Sequence, residues 1–148
     1  MLAAVYSEAV RERCREPRRA GAWPEGDRAV GSGSAGSLDE GTWTRLQVRV
    51  GADGRIDDTR FKVFGCSAAI ASASFVADAL VGATLAEGAA LMPSAVADAL
   101  ELPDDKRAMA ALATAAARDA VTDWERKAGL GARDPGLGSK NTGLGESR

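Results

Sequence analysis

Apolar residues first recur at helical spacing, with Leu2, Val5, Tyr6, Ala9 and Val10 on one face. This predicts an amphipathic helix running to about Cys14 and stopped by Pro17. At Trp43 the period changes to two. Thr44, Leu46, Val48 and Val50 share one face and Arg45, Gln47 and Arg49 the other, which predicts a strand with one buried and one wet side. Gly51-Ala52-Asp53-Gly54 is turn chemistry, and Ile56 to Phe64 alternates again, so the two runs form an antiparallel hairpin.

The second strand ends at Gly65-Cys66, and from Ala68 the sequence turns to Ala, Ser and Ile with no β-run. That predicts a buried helix of small residues, with Ala69, Ile70 and Ala73 in the core, ending at about Val81 before Gly82. Cys66 would stand where a strand hands over to a helix N-terminus. Unpaired N–H groups and the positive end of the helix dipole there favour a thiolate, which suits a reactive or metal-binding sulfur. A small buried residue at a tight corner fits the same position. Downstream, Thr84-Leu85-Ala86-Glu87 has the pattern of a capping box. Pro93-Ser94 breaks the pattern, Ala95 to Leu100 makes a helical turn or two, and Leu102-Pro103 ends it. Asp104 or Asp105 is placed to cap a long last helix to about Lys127, with Met109, Leu112, Ala116, Ala120 and Trp124 near one face. Helix, sheet, then helices is an α+β order, with helices packed on one side of a small antiparallel sheet.

The segment from Arg18 to Gly41 is rich in Gly, Ser, Pro and charge. Its run Val30 to Ser37, VGSGSAGS, could cradle a phosphate on backbone N–H groups. No Gly-Lys-Ser/Thr ending follows, no apolar strand precedes and no helical run comes after, so a flexible loop or short edge strand is expected. The chain has 148 residues, 45% of them hydrophobic, which is enough for a single core. The folded domain is expected over residues 1–128, followed by a glycine-rich disordered tail at 129–148 with little to bury. A net charge of −2, with both signs spread along the chain, leaves no basic footprint for nucleic acid. No apolar run is long enough to cross a bilayer, and a soluble cytoplasmic protein is expected. There is no histidine, which removes the commonest catalytic base and nitrogen ligand and argues against an enzyme. The two cysteines, Cys14 and Cys66, make no disulfide framework. Arg11, Arg13 and Arg15 around Cys14 should lower its pKa somewhat.

Several stretches together resemble the scaffold proteins of iron–sulfur cluster assembly, the IscU/NifU N-terminal family. They are Val5 to Glu8, Pro17-Arg18, Val30 to Gly33, Leu46 to Val48, Phe61-Lys62 through Gly65-Cys66 to Ala69-Ile70-Ala71-Ser72, and Glu101-Leu102-Pro103. The resemblance covers roughly residues 3 to 127 without an insertion. It implies the family's IscU/SufE-like fold, a three-stranded antiparallel sheet with helices on one face. It also implies a site of three cysteines, an aspartate two residues after the first, and often a histidine just before the third, holding zinc, iron or a [2Fe–2S] cluster.

On this chain the middle cysteine position is Cys66. Glu40 stands at the first cysteine position, Thr42 at the aspartate, Ala108 at the histidine and Met109 at the third cysteine. The resemblance thus leaves Cys66, with Glu40 as a possible carboxylate ligand, toward iron–sulfur or zinc. The family's chaperone-recognition segment, Leu-Pro-Pro-Val-Lys, appears as Leu102-Pro103-Asp104-Asp105-Lys106, and two carboxylates in place of Pro-Val should weaken docking in an apolar groove. Two functions are expected in competition. In one the chain is an assembly scaffold with reduced or no cluster binding of its own, acting through Cys66 with a cysteine desulfurase, a second subunit or a small thiol. In the other it is a metal-free interaction or structural subunit within a larger complex.

Overall fold

The computed structural model describes residues 6–24 and 26–129. Leu2, Val5 and nearly all of the tail expected at 129–148 lie outside them. Helix α1 (Glu8–Arg15) starts at Ser7, whose hydroxyl oxygen accepts from Val10 N and whose O–H donates to the Leu100 carbonyl at 2.7 Å. Strands β1 (Val30–Ser37), β2 (Thr42–Val50) and β3 (Ile56–Phe64) form one antiparallel sheet in that order. Helix α2 (Ser67–Leu80) follows β3 through the Gly65-Cys66 corner. Then come α3 (Leu85–Ala89), α4 (Pro93–Ala99) and the long α5 (Arg107–Lys127). Thr84 and Glu87 form the expected reciprocal capping box on α3.

Helices α2 and α5 lie against the sheet, α2 mainly on β3 and α5 mainly on β1 and β2, and α1 packs on α2. The apolar pattern explains the layer. Leu46, Val48, Ile56 and Phe61 point from the sheet into a core shared with Ala69, Ala71, Ala73, Val76, Ala77 and Leu80 of α2 and with the alanines of α5. With so many Cβ methyls and so few larger groups, helix and sheet approach closely. Ala73 is fully buried, and Ala73→Leu should lower stability by about 1–3 kcal/mol through overpacking, read from the urea unfolding midpoint.

The glycine-rich run is a full eight-residue edge strand rather than a loop or a short strand. Its glycines are what make the strand possible. A Cβ on Gly31 would run into the Ala120 carbonyl, and one on Gly33 into the Ala116 carbonyl and the Ala120 nitrogen, so the backbone of α5 lies directly on the backbone of β1. Asp119 and Asp123 of α5 accept hydrogen bonds from the β1 amides of Ser34 and Ser32, at 3.2 and 2.9 Å.

Further expectations are corrected. Gln47, assigned to the wet face, is buried, because the segment before β1 crosses that side of the sheet and Gln47 bonds both the Trp23 amide and carbonyl and the Ser32 hydroxyl. Neither Asp104 nor Asp105 caps α5. The chain takes a 3-10 turn at Asp104–Lys106 that runs straight into the helix without a side-chain cap. The pattern does break before Pro93, but α4 begins at Pro93 itself rather than at Ala95, because a missing N–H costs nothing in the first turn. Of the residues expected near one face of α5, Ala116 and Ala120 are buried while Met109, Leu112 and Trp124 are half-exposed; Ala110, Ala113, Ala117 and Val121 complete the buried stripe. Ile70 is likewise half-exposed at the edge of α2.

Charge ties the N-terminal segment down. Asp78 on α2 pairs with Arg13 at 2.8 Å and Arg19 at 2.9 Å, while Asp58 on β3 pairs with Arg19 at 2.7 Å and Arg60 at 3.1 Å. Arg49 and Arg60 each stack on the Trp23 ring at 4.7 Å. Burial pushes both carboxyls up, but hydrogen bonds and the arginine charges overcome it and hold both below the usual 3.8. A lowered folded-state pKa contributes stability above the unfolded value and loses it as pH falls below about 3.8. Asp78→Asn should therefore flatten the acid limb of the stability curve, measured as urea midpoint against pH from neutral downward, and lower stability at neutral pH. An unchanged acid limb would remove Asp78 from the account.

Candidate functional site

Thr42, Gly65 and Cys66 meet at one end of the sheet, and the turn that carries Glu40 lies at that same end. The last pair of the β2–β3 ladder is Trp43↔Phe64, so the chain just before Trp43 and the chain just after Phe64 sit side by side. Thr42 Cγ2 and Oγ1 lie 3.2 and 3.4 Å from where a Cβ on Gly65 would be. A Cβ at 65 would also come within 3.2 Å of the Ala69 methyl, so glycine lets the chain turn here without either neighbour giving way. Cys66 then takes the N-cap position of α2 with extended backbone, and its carbonyl accepts from Ala69 N and Ile70 N at 3.0 and 3.1 Å. Its sulfur makes no capping bond and is half-exposed.

Glu40 closes the 3-10 turn Leu38–Glu40 that links β1 to β2, and Gly41 follows with φ of 89°. Both neighbouring strands hold this turn at the same end of the sheet as Gly65-Cys66, with Glu40 exposed. Ala108 and Met109 lie in the first turn of α5, Ala108 exposed and Met109 half-buried against the core. Among the described residues no group of three or more His, Cys, Asp or Glu side chains is gathered to hold a metal ion. Leu102 is buried and its amide bonds the Ala97 carbonyl, so the segment Leu102 to Lys106 is folded into the domain rather than extended.

Three side chains beside Cys66 went unassigned in the sequence. Tyr6 reaches it from ahead of α1. Burial, followed by the charge and hydrogen bond of Cys66, raises the Tyr6 phenol, and the Lys106 ammonium at the start of α5 pulls it back. Cys14 is the third. Its thiol donates to the Ser67 carbonyl at 3.4 Å, one residue from Cys66. The expected lowering of its pKa is reversed. Burial pushes the thiol up, the Ser67 bond offsets part of this, and Cys66 adds to the rise. The arginines are engaged elsewhere: Arg13 with Asp78 and Ser74, and Arg11 and Arg15 with Glu8. The signal that could have found Cys14 is its spacing of four from Val10, which places both on the face of α1 turned to α2.

A three-stranded antiparallel sheet with helices against it, and a Gly-Cys corner at the sheet's end, defines a small α+β domain whose only cysteine chemistry among the described residues is gathered at that corner. Residues 5–130 match the family model described as NifU-like N terminal domain, and the chain belongs to that family. The iron-sulfur cluster assembly scaffold protein IscU of Escherichia coli K12 is 38% identical over 123 residues, covering 83% of this chain and 96% of its own. The protein of the same name from Haemophilus influenzae is 37% identical over 125 residues, covering 84% and 99%. In three dimensions the chain is similar to the N-terminal NifU-like protein of Brucella abortus, with a TM-score of 0.60 at 21% identity, covering 85% of this chain and 98% of that one. No helix among the described residues is long and apolar enough to cross a membrane.

Proposed function

We propose that this protein works in iron–sulfur cluster assembly as a scaffold-like protein, with Cys66 accepting sulfur or iron and with little or no capacity to hold a complete cluster on a single chain. The observation that carries the reading is Cys66 itself: in a chain 38% identical to a protein named as an iron–sulfur assembly scaffold, the sulfur is kept at a helix N-cap, half-exposed at the end of the sheet. Its role is that of a scaffold rather than an enzyme, in the cytoplasm, with a cysteine desulfurase or a larger complex as partner.

The cluster is cargo here, and the donor set is a poor fit to it. Such clusters are held by four ligands, thiolates above all. This chain offers the Cys66 sulfur, a carboxylate from exposed Glu40 and a weak thioether from Met109, with Thr42 and Ala108 supplying nothing equivalent. Further ligands would come from a second subunit or a small thiol. Protein purified without air should carry substoichiometric iron or zinc, and Cys66→Ser should remove what is bound, by elemental analysis. A full [2Fe–2S] spectrum on the monomer would overturn the reduced capacity proposed for it.

The second reading, a metal-free interaction subunit, has one observation in its favour. Leu38 and Phe64 are 61% and 59% exposed in the two segments that carry Glu40 and Cys66, and both are large apolar side chains open to a protein partner. Protein that takes up neither sulfur nor metal at Cys66, yet associates through these side chains, would move the assignment there.

A further inference from the structure

We propose that Cys14 is a resolving thiol for sulfur carried on Cys66, attacking a Cys66 persulfide to release sulfide and leave a Cys14–Cys66 disulfide. The inference rests on the reading above in one respect, that Cys66 is a sulfur acceptor, and extends it to what becomes of the sulfur on a chain whose ligand set does not fit a cluster.

Geometry brings the Cys14 sulfur to the residue that follows Cys66. Val10 and Cys14 are one helical turn apart on α1, and Val10 is fully buried, so their shared face is the one turned to α2. Arg13, next to Cys14, is held at 2.8 Å by Asp78 near the end of α2 and at 3.1 Å by Ser74, which fixes the register of the two helices. The Cys14 thiol consequently meets the first turn of α2, 3.4 Å from the Ser67 carbonyl. Cys66 is the N-cap of that same turn. Its sulfur is not consumed in capping, and both cysteines are free and half-exposed, open to a sulfur donor and to departing sulfide. Across this turn the Cys66 charge acts on the Cys14 thiol. Tyr6 hydrogen-bonds Cys66, which sets a phenol beside the place where an anionic persulfide would lie, and the Lys106 charge acts on that phenol.

The chemistry closes without an outside oxidant. The Cys66 thiolate attacks the outer sulfur of a donor persulfide, of the kind a cysteine desulfurase carries; the donor's S–S bond breaks, the donor leaves as its thiolate with the electron pair, and the outer sulfur with its proton stays on Cys66 as Cys66–S–SH. The Cys14 thiolate, its proton lost to solvent, attacks the Cys66 Sγ. The bond from Sγ to the outer sulfur breaks, and that sulfur leaves as HS⁻ with the electron pair. The two cysteine sulfurs are oxidised to the disulfide and the outer sulfur is reduced to sulfide. This is thiol–disulfide exchange with hydrosulfide as the leaving group. A dithiol reductant would return the pair to its starting state.

The test uses sodium tetrasulfide as the probe, so that no protein recognition is required. The full chain and its Cys14→Ser, Cys14→Ala and Cys66→Ser variants, each checked for native circular dichroism, are pulsed without air, desalted and followed by intact mass, peptide mapping and sulfide release. In the parent, the Cys66 persulfide should decay to an intrachain Cys14–Cys66 disulfide with matching sulfide. In Cys14→Ser and Cys14→Ala it should persist about tenfold longer or more, the advantage of an attacking group already held in place. Equal lifetimes in the parent and both Cys14 variants, or a disulfide formed only between chains, would overturn the role of Cys14 while leaving Cys66 as an acceptor. Failure of Cys66 to carry sulfur in the Cys14 variants, under conditions that load a free small thiol, would overturn both.

Discussion

The quadruple variant Glu40→Cys, Thr42→Asp, Ala108→His, Met109→Cys is expected to bind stoichiometric zinc where the parent binds little. Thr42 already lies against Gly65 at the Cys66 corner, Glu40 sits in the turn leading into Thr42, and Ala108 and Met109 stand in the first turn of α5, which the family resemblance assigns to the same site. The substitutions supply the missing donor atoms. Zinc asks for a tetrahedral set of sulfur, nitrogen or oxygen ligands and has no further geometric demand, so an approximately correct arrangement suffices. Binding to the folded form alone would raise the melting temperature, by about 2.7 kcal/mol of added stability when free zinc is a hundredfold above its dissociation constant. Zinc content and thermal shift are the measurements, with Cys66→Ser added to the variant as control. A folded variant without zinc would mean that the turn, the corner and α5 do not meet closely enough, and the case for Glu40 as a partner of Cys66 would go with it.

A second large effect is expected at Gly33, where Gly33→Val should cost roughly 3 kcal/mol or more and leave little folded protein at a moderately raised temperature. The atoms in the way are main-chain atoms of α5, the Ala116 carbonyl and the Ala120 nitrogen, and a helix backbone cannot turn aside as a side chain can. Relief requires α5 to lift from β1, which exposes the buried alanines of α5 and breaks the bond from Ser34 N to Asp119. Ser34→Val, one residue along on the exposed side of the same strand, is the control for β-propensity and should be nearly neutral. Equal urea midpoints for Gly33→Val and the parent would show that the helix does not rest on the strand in this way.

Much of the architecture was legible because it is written in local periods. The switch from helical spacing before Cys14 to strict alternation at Trp43, the turn at Gly51 to Gly54 and the capping box at Thr84 are each decided within a few residues, and the structure has each of them. The position of Cys66 at a helix N-cap was equally local, following from a strand that ends at Phe64 and a glycine that allows the turn. These features need no knowledge of what lies across the domain.

What only the tertiary structure decided concerns residues whose state is set by something far away in sequence. Val30 to Ser37 has no strand pattern of its own, and becomes a strand because small residues on α5, some 85 to 91 positions later, come close enough for Asp119 and Asp123 to bond its amides. Gln47 reads as a wet position and is buried by Trp23 from the crossing segment. Cys14 lay among arginines in the sequence, yet those arginines turn to Glu8, Ser74 and Asp78, and what governs its thiol is burial beside the turn that begins at Cys66. Alternation and capping are short-range properties that a sequence displays directly. Burial, close backbone approach and the pairing of charges depend on which surfaces meet, and that is settled only when the chain closes on itself.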